Sequence, residues 1–482
     1  MEPLLHPPPP PSRGDLHRHP PPPPSRGDLP GLTRAMREHP TVVAYQSSVG
    51  PDTASRPPRG GPLDGAELRS LCLELGADDV GFVSLDGEEV AEQRAEILQL
   101  FPRARSLVSL VARMNRESVR SPARSASNLE FHATTEHLNE VARRIVAALE
   151  ARGVGAVNPA AGFPMEMQRF PGKIWVVAHK PVAVAAGLGR MGIHRNVIHP
   201  RFGNFIVLDT LVLDREIDTE SRPLDYNPCL ECKLCVAACP VGAIGADGYF
   251  DFSACANHNY HEFMGGFTDW VGTIADSSDR HDYAERVSDS ETASIWQSLA
   301  FGPNYKAAYC LAVCPAGSDV IGPFLENRAE FQQQILRPLQ DKEETLYIAA
   351  GSDAEAYARR RFPHKPVRRI RSHLRATSIE GFLAALPLVF QRGAARDLRV
   401  TYHFSFTRRE SQPMLATIRI DRGKIAVERE LVGAPDCTVV VDAGVWLRFL
   451  RQKRGLAWAI LRGRCRVKGL RWLRAFRRCL AS

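Results

Sequence analysis

Cys229-Leu230-Glu231-Cys232-Lys233-Leu234-Cys235-Val236-Ala237-Ala238-Cys239-Pro240 is the stretch that decides how this chain is read. Three thiols recur at two-residue intervals, and a fourth follows after three more residues, just before a proline. This is the C-x2-C-x2-C-x3-C-P spacing of a cubane iron–sulfur loop. The spacing has a geometric reason. Three thiolates wrap one cluster in a tight loop, while the fourth sits on the following helical turn and faces a second cluster. Zinc sites use two separated pairs of ligands and have no use for the terminal Cys-Pro, and a disulfide framework does not need so regular an interval.

A second cluster requires a mirror motif downstream. Cys310, Cys314 and Pro315 reproduce the end of the first motif, and Cys255 is its distant member. The position that would complete a C-x2-C with Cys310 is Ala307, which cannot ligate iron. Crossover of the two motifs assigns Cys229, Cys232, Cys235 and Cys314 to one [4Fe-4S] cluster. Cys239, Cys255 and Cys310 then hold the other with three thiolates. That second cluster is a [3Fe-4S] form, or a [4Fe-4S] form whose fourth ligand is not cysteine. His258 and His261, close to Cys255 in sequence, are the candidates for that ligand.

At 482 residues the chain is long for a single core and suggests two or three domains. Seven of its 11 cysteines fall in the cluster region; Cys72, Cys437, Cys465 and Cys479 are scattered. Thiolate-bound clusters and unpaired thiols fit a reducing compartment. No apolar run approaches the roughly 20 residues of a membrane span, and the N-terminus has no secretory pattern. A cytoplasmic location is expected.

The first 62 residues read as a disordered tail, with HPPPPPSRGDL repeated in tandem at His6–Leu16 and His19–Leu29. Folding begins near Asp64, which can cap a helix placing Leu68, Leu71, Cys72 and Leu75 on one face. Strand patterns at Val80–Leu85, Ser106–Val111, Ile174–Val177 and Phe205–Leu213 alternate with a helix from about Thr135 to Arg152. An α/β layer domain over 63–218 follows, ahead of a ferredoxin-like module at 219–330. Within it, AAGLGRMG at Ala185–Gly192 is a glycine-rich loop followed by HRNVIHPRFGNF. Glycines at this spacing let backbone turn tightly and approach a ligand. They are not a nicotinamide fingerprint, because no strand-plus-acid context surrounds them.

The order of these parts resembles the family of epoxyqueuosine reductases and reductive dehalogenases over about residues 64–330. The motifs that carry it are AVAAGLGRMGIHRNVIHPRFGNF, CLECKLCVAACPVGAI, Cys255 and CLAVCP. The resemblance implies a nitroreductase-like α/β domain with a base-off corrinoid (cobalamin), to which a two-cluster ferredoxin module passes electrons. It would place Gly187, Gly189 and Gly192 against the cofactor, and His194, Arg195, Asn196 and His199 against cofactor or substrate. The family's catalytic aspartate, in an Asp-Thr-Ala-Pro context, would fall near Lys173, where this chain has no acid.

The insertion from Asn257 to Tyr305 is rich in aromatic residues, and Tyr260, Phe263, Phe267, Trp270, Trp296 and Tyr305 could wall a pocket. Residues 331–375 read as a linker with one small element, LYIAAG. A last α+β domain over 376–482 opens with a capping box at Thr377-x-x-Glu380. Strands at Leu398–Phe406, Leu415–Ile420, Lys424–Glu428 and Thr438–Val441 follow, then a helix around Gly444–Leu450. Over about residues 376–480 this pattern resembles the sterol carrier protein type-two fold, which implies an apolar tunnel for a lipid-like molecule. The net charge of +8 is uneven: from Arg448 onward there are basic residues and no acidic ones. An anionic membrane surface is the expected partner of that end, and no nucleic acid is expected because no reader motif is present.

Two function classes remain open. One is a redox enzyme passing electrons from a donor protein or reductant, through two clusters, to a corrinoid or other acceptor and a small or lipid-like substrate. The other is a non-catalytic electron-transfer or lipid-binding protein without the corrinoid site.

Overall fold

The computed structural model describes residues 33–48, 61–170, 173–408, 411–452 and 456–480. The proline-rich tandem lies outside the described residues. Part of the stretch expected to be an extended tail is helical, at Arg34–Arg37 and Pro40–Ser48, with the Thr33 hydroxyl accepting from the Met36 amide. This segment forms a unit of its own.

From Gly60 onward the chain is of mixed α/β construction. Asp64 caps the first helix, Gly65–Glu74, accepting from the Ala66 and Glu67 amides, a cap worth about 1 kcal/mol. Gly76, at φ +116°, ends that turn. Four strands then form a sheet in the order Asp79–Ser84, Ser106–Arg113, Ile206–Leu213, Ala156–Val157, every pair antiparallel. Alternation of helix and strand in sequence therefore does not produce a parallel sheet here. Helices cover both faces, which is why the central strands are buried along almost their whole length rather than alternately. One face packs Val108, Leu110 and Leu211 on Leu138, Val141, Ile145 and Leu149 of the long helix. The other packs Leu107, Val111 and Val212 on Val182, Ala183 and Ala185 of the His179–Ala185 helix.

Two expectations fail in this region for identifiable reasons. The long helix runs Arg124–Ala151, starting 11 residues before the apolar periodicity does. Its polar first turns are held by the insertion instead of by apolar packing. Arg124 pairs with buried Glu262 at 2.9 Å, and the Asn128 side chain bonds both the amide and the carbonyl of Tyr305. Ile174–Val177 is apolar because Ile174 and Val177 are buried, yet it is irregular backbone with no strand partner.

Residues 331–375 are not a linker. Leu346–Ala349 pairs in parallel with Val367–Ile370, and the Asp353–Arg361 helix makes the crossover such a pair requires. Leu346, Ile348, Ala354 and Ala358 join the core that holds the cluster cysteines, and the Gln340 amide donates to the Ala237 carbonyl at 2.9 Å.

The C-terminal sheet has the order Lys424–Glu428, Ser411–Asp421, Arg399–Arg408, Cys437–Asp442, Cys465–Lys468, with Cys437–Asp442 parallel to Arg399–Arg408. Ser378 rather than Thr377 caps its first helix, Ile379–Val389. The sheet's inner face is filled by Tyr402, Phe404 and Phe406, which pack with Phe382, Trp446 and Phe476 at ring separations of 5.0–6.2 Å. The two cores join through Arg392–Asp247 at 2.6 Å and the Asp353 amide on Gln391 at 2.7 Å. Among the described residues no helix is long and apolar enough to cross a membrane.

Asp209, at the sheet's centre, is fully buried; one carboxylate oxygen accepts from the Thr210 amide and the other has no partner. Burial raises its pKa to about 8, against about 3.9 in an unfolded chain. Between those values the unfolded chain releases a proton that the native protein keeps, so stability falls as pH rises from about 4 to about 8. Asp209→Asn is expected to raise the thermal midpoint, by more at pH 8.5 than at pH 5.5, as read by thermal unfolding across that range. An equal change at both pH values would contradict the assignment.

Candidate iron–sulfur centre and adjoining cleft

Bringing three thiols within seven residues to one side of a loop demands unusual backbone. Glu231 and Lys233 both lie in the left-handed region at φ +54°, at roughly 1–2 kcal/mol each. Two such non-glycine residues flanking Cys232 are strain of the kind kept at functional sites. Cys229, Cys232, Cys235 and Cys314, which lies 79 residues beyond Cys235, line one cavity together with Ile193, Ile198 and Pro315. The Ile193 amide donates to Cys229 Sγ at 3.5 Å. Burial, then the neighbouring thiols Cys310, Cys314, Cys232 and Cys229, push the Cys235 pKa above the usual thiol range. Among the described residues no three His, Cys, Asp or Glu groups gather as a single-ion site. The four thiols that line this cavity are the set that the cluster-loop spacing and its crossover assign to one cluster.

The HRNVIHPRFGNF segment is the seat for this loop. Gly203, at φ +65°, and Gly317, at φ +110°, pack backbone to backbone; a Cβ on Gly203 would strike the Ala316 carbonyl oxygen. Ser318 and Asp319 donate their amides to the Pro200 and Arg201 carbonyls, and Arg201 pairs with Asp319 at 2.8 Å. The segment that follows Cys314 is thus strapped to the α/β region. His199 serves the same turn: its Nδ1 accepts from the Arg201 and Phe202 amides, and its Nε2 donates to Asp79 at 3.0 Å. His194, with Nδ1 accepting from the Asn196 amide, has its pKa lowered by burial to about 4 and is neutral.

Cys239, Cys255 and Cys310 form a second group. Cys239 Sγ accepts from the Ala243 amide at 3.2 Å. Burial, then Cys310 and Cys239, push Cys255 above the usual range, while burial and Cys239 push Cys310 up to about 12. Free thiols of this kind are protonated at neutral pH, so any metal bound here must displace their protons. Ala307 lies beside them. Its amide donates at 2.9 Å to the side chain of Asn259, which is one turn along the Phe252–Asn259 helix from Cys255.

Each candidate histidine uses one ring nitrogen in a hydrogen bond and keeps the other, His258 Nε2 and His261 Nδ1, buried without a protein partner. His261 Nε2 bonds Glu291 at 2.8 Å, and the ring stacks on Tyr347 with centroids 3.6 Å apart. His258 Nδ1 accepts from the Tyr347 amide at 3.3 Å, and the charges around it are Glu344 and three lysines rather than the cluster thiols.

The group facing Cys310 and Cys255 is one that the motifs do not reveal. Lys180 donates to the Arg195 carbonyl at 2.8 Å and to the Asn196 side chain at 3.0 Å. Its charge lowers the pKa of both thiols. It is exposed, although the protein around it lowers its pKa. Tyr260, Tyr305, Phe263, Phe131 and Phe163 form one aromatic wall at ring separations of 5.1–6.1 Å. Phe267 and Trp270 pair apart from it, and Trp296 is 60 % exposed against Phe301, so these three do not join.

The loop glycines are committed to the chain itself. A Cβ on Gly187 would stand 2.5 Å from the Arg222 carbonyl, on Gly189 2.5 Å from that of Ile198, and on Gly192 2.8 Å from His194. What the loop offers a ligand is the Lys180–Arg195–Asn196 group. Lys173, near which the family resemblance would place a catalytic acid, is paired with Glu96. Asp209 does not replace that acid, because it is sealed from the cleft.

With this geometry established, comparison with known proteins gives a limited likeness. No family model matches the chain. It is similar to the epoxyqueuosine reductases of Vibrio cholerae (30% identical over 89 residues, 18% of this chain and 24% of that one) and Cellulophaga algicola (31% over 103 residues, 20% and 33%). The chain thus matches between a quarter and a third of the length of these relatives. Among solved structures, a reductive dehalogenase described for B12-dependent dehalogenation has TM-score 0.36 at 17% identity, covering 59% of this chain and 36% of that one. An epoxyqueuosine reductase bound to a tRNA stem loop has TM-score 0.30 at 17% identity, covering 42% and 57%.

Gly203→Ala is expected to dislodge the Cys314 segment. The variant should retain markedly less iron and sulfide per chain than wild type after anaerobic reconstitution, while Gly61→Ala, where a Cβ meets nothing within 4 Å, should retain the wild-type content. Equal metal content in all three proteins would contradict the strap.

Proposed function

We propose that this protein is an iron–sulfur oxidoreductase in which two clusters pass electrons inward to an acceptor in the cleft beside Lys180. The observation that carries the reading is the pairing of two thiol groups from crossed segments, one near the surface and one opening on the cleft. Leu230 and Tyr226 beside the first group are 46 % and 40 % exposed, which suits entry of electrons from a donor protein. The cluster chemistry would be one-electron transfer, and the protein's part is to fix separation, burial and hydrogen bonds to sulfur. A corrinoid is the acceptor suggested by the related enzymes. The Lys180–Arg195–Asn196 group and the aromatic wall are the residues that would face it. The paired Lys173 favours a second reading, an electron-transfer protein with no corrinoid. Adding cobalamin to the anaerobic protein separates the two. The first reading expects a shift of the corrinoid's visible spectrum on binding, lost in Lys180→Glu, and an unchanged spectrum supports the second.

The C-terminal region we read as sterol-carrier-like, on its strand order and its helices. Its interior is filled by aromatic side chains, which favours contact with a lipid-like ligand at the surface over the expected apolar tunnel. Trp458 and Leu461 are 57 % and 85 % exposed, and Arg462 lies over the Trp458 ring at 3.7 Å. Twelve Lys and Arg follow Asp442 with no acid among them. Basic residues beside exposed Trp and Leu suit the headgroup layer of an anionic bilayer. Full-length protein should sediment with phosphatidylserine vesicles at low salt and release as salt rises, and Trp458→Ala with Leu461→Ala should weaken binding at every salt concentration. The same basic surface would hold RNA, so tRNA serves as competitor. Binding to tRNA that is indifferent to the two apolar substitutions would replace the membrane reading.

A further inference from the structure

The glycine-rich loop leads into a small hairpin whose tip faces two different neighbours. Arg190–Met191 pairs with Val197–Ile198, and the residues Gly192 to Asn196 turn between them. The tip is closed on itself: the Gly192 amide donates to the Asn196 carbonyl and the Arg195 amide to the Gly192 carbonyl, both at 2.9 Å. Arg195 sits in the left-handed region at φ +64°, a conformation that a non-glycine residue keeps only under restraint from its surroundings. Two restraints are present. On one side the Lys180 ammonium, carried by the His179–Ala185 helix, donates to the Arg195 carbonyl at 2.8 Å and to the Asn196 side-chain oxygen at 3.0 Å. On the other, Ile193 and His194 line the cavity of the first thiol group, where the Ile193 amide donates to Cys229 Sγ at 3.5 Å. Buried His194 joins the two sides, its Nδ1 accepting from the Asn196 amide at 3.1 Å. The place of the Ile193 amide is thus set by the tip, and the tip is held by Lys180.

We infer that Lys180 is a positioning residue for the first cluster: by clamping the hairpin tip it holds the Ile193 amide on Cys229 and thereby raises that cluster's reduction potential. This rests on the proposed cluster at Cys229, Cys232, Cys235 and Cys314 and adds a residue that tunes it from the cleft side. Reduction places extra negative charge on the sulfurs, and an N–H aimed at sulfur stabilises that form more than the oxidised one. An ammonium suits the clamp because two of its three donors meet two oxygens of one turn. Its stem starts from a helix whose Val182, Ala183 and Ala185 are packed in the sheet's core, so the clamp has a fixed base. Arginine can span the same two oxygens, whereas glutamine is shorter and carries no charge.

The test uses full-length protein labelled with nitrogen-15 isoleucine and reconstituted anaerobically. Iron and sulfide are counted first in wild type and in Cys232→Ala; equal content in both would overturn the cluster reading itself. With the first cluster present, a redox titration followed by electron paramagnetic resonance gives its potential, and pulsed resonance of the reduced protein reads the coupling of the isoleucine amide bonded to sulfur. Lys180→Gln should keep the wild-type iron content and weaken that coupling. It should also move the reduction equilibrium about tenfold toward the oxidised form, about 59 mV for one electron. Lys180→Arg should match wild type. Asn196→Ala, which keeps the charge and removes one of the two oxygens, should shift both readings in the same direction by less. Should Lys180→Gln lose its iron, Asn196→Ala decides by the same two readings. An unchanged potential, or a potential that moves while the nitrogen coupling stays, would overturn the inference and leave the cluster reading standing.

Discussion

The constraint on which the structure depends is that thiols far apart in sequence must be held around two adjoining spaces. Cys314 must meet Cys229–Cys235, and Cys310 and Cys255 must meet Cys239. No local pattern achieves this. The Gly203–Gly317 backbone contact, the Asn259–Ala307 bond and the βαβ unit packed behind the cluster helices each fix one of the returning segments. The buried thiols are costly to ionise, so metal binding and closure of these segments are one coupled event. The left-handed residues Glu231 and Lys233 persist because the surrounding contacts over-determine the loop.

The two spaces are unlike each other. The first is completed by four thiols and lies near exposed Leu230 and Tyr226; the second has three and opens inward on Lys180. In the proposed function that asymmetry would put the donor side at the first group and the acceptor side at the second. The buried histidines of the insertion bond Glu291 and Tyr347. They tie the Cys255 helix to Tyr347 of the βαβ unit through one ring nitrogen or ring face each, while His258 Nε2 and His261 Nδ1 stay unpartnered.

Much of this was legible from sequence where chemistry acts through spacing. The C-x2-C-x2-C-x3-C-P run, the Asp64 cap and the C-terminal strands follow from local rules, and the crossover of cysteines follows from the reach of a two-cluster loop. Illegible were features set by tertiary contact. The first turns of the Arg124–Ala151 helix are polar because Glu262 and Tyr305 receive them. The βαβ unit was masked by the charges of Asp353–Arg361, whose acidic start and basic end favour the helix dipole while resembling a linker in composition. Lys180 carries no motif and is found only by where its amine points. The glycines of the AGLG loop have a second reason for being glycine that the pattern does not reveal: a Cβ on Gly187 or Gly189 would meet a carbonyl of the chain itself, and one on Gly192 the His194 side chain.

The central claim, two clusters held side by side by crossed cysteines, is tested most directly by electron paramagnetic resonance of the fully reduced, reconstituted protein. Two reduced clusters in adjoining sites are close enough for their spins to interact. The account predicts a broadened spectrum with coupling features that collapse to one simple signal in Cys232→Ala. A single uncoupled signal in the wild-type protein, unchanged by that substitution, would contradict it.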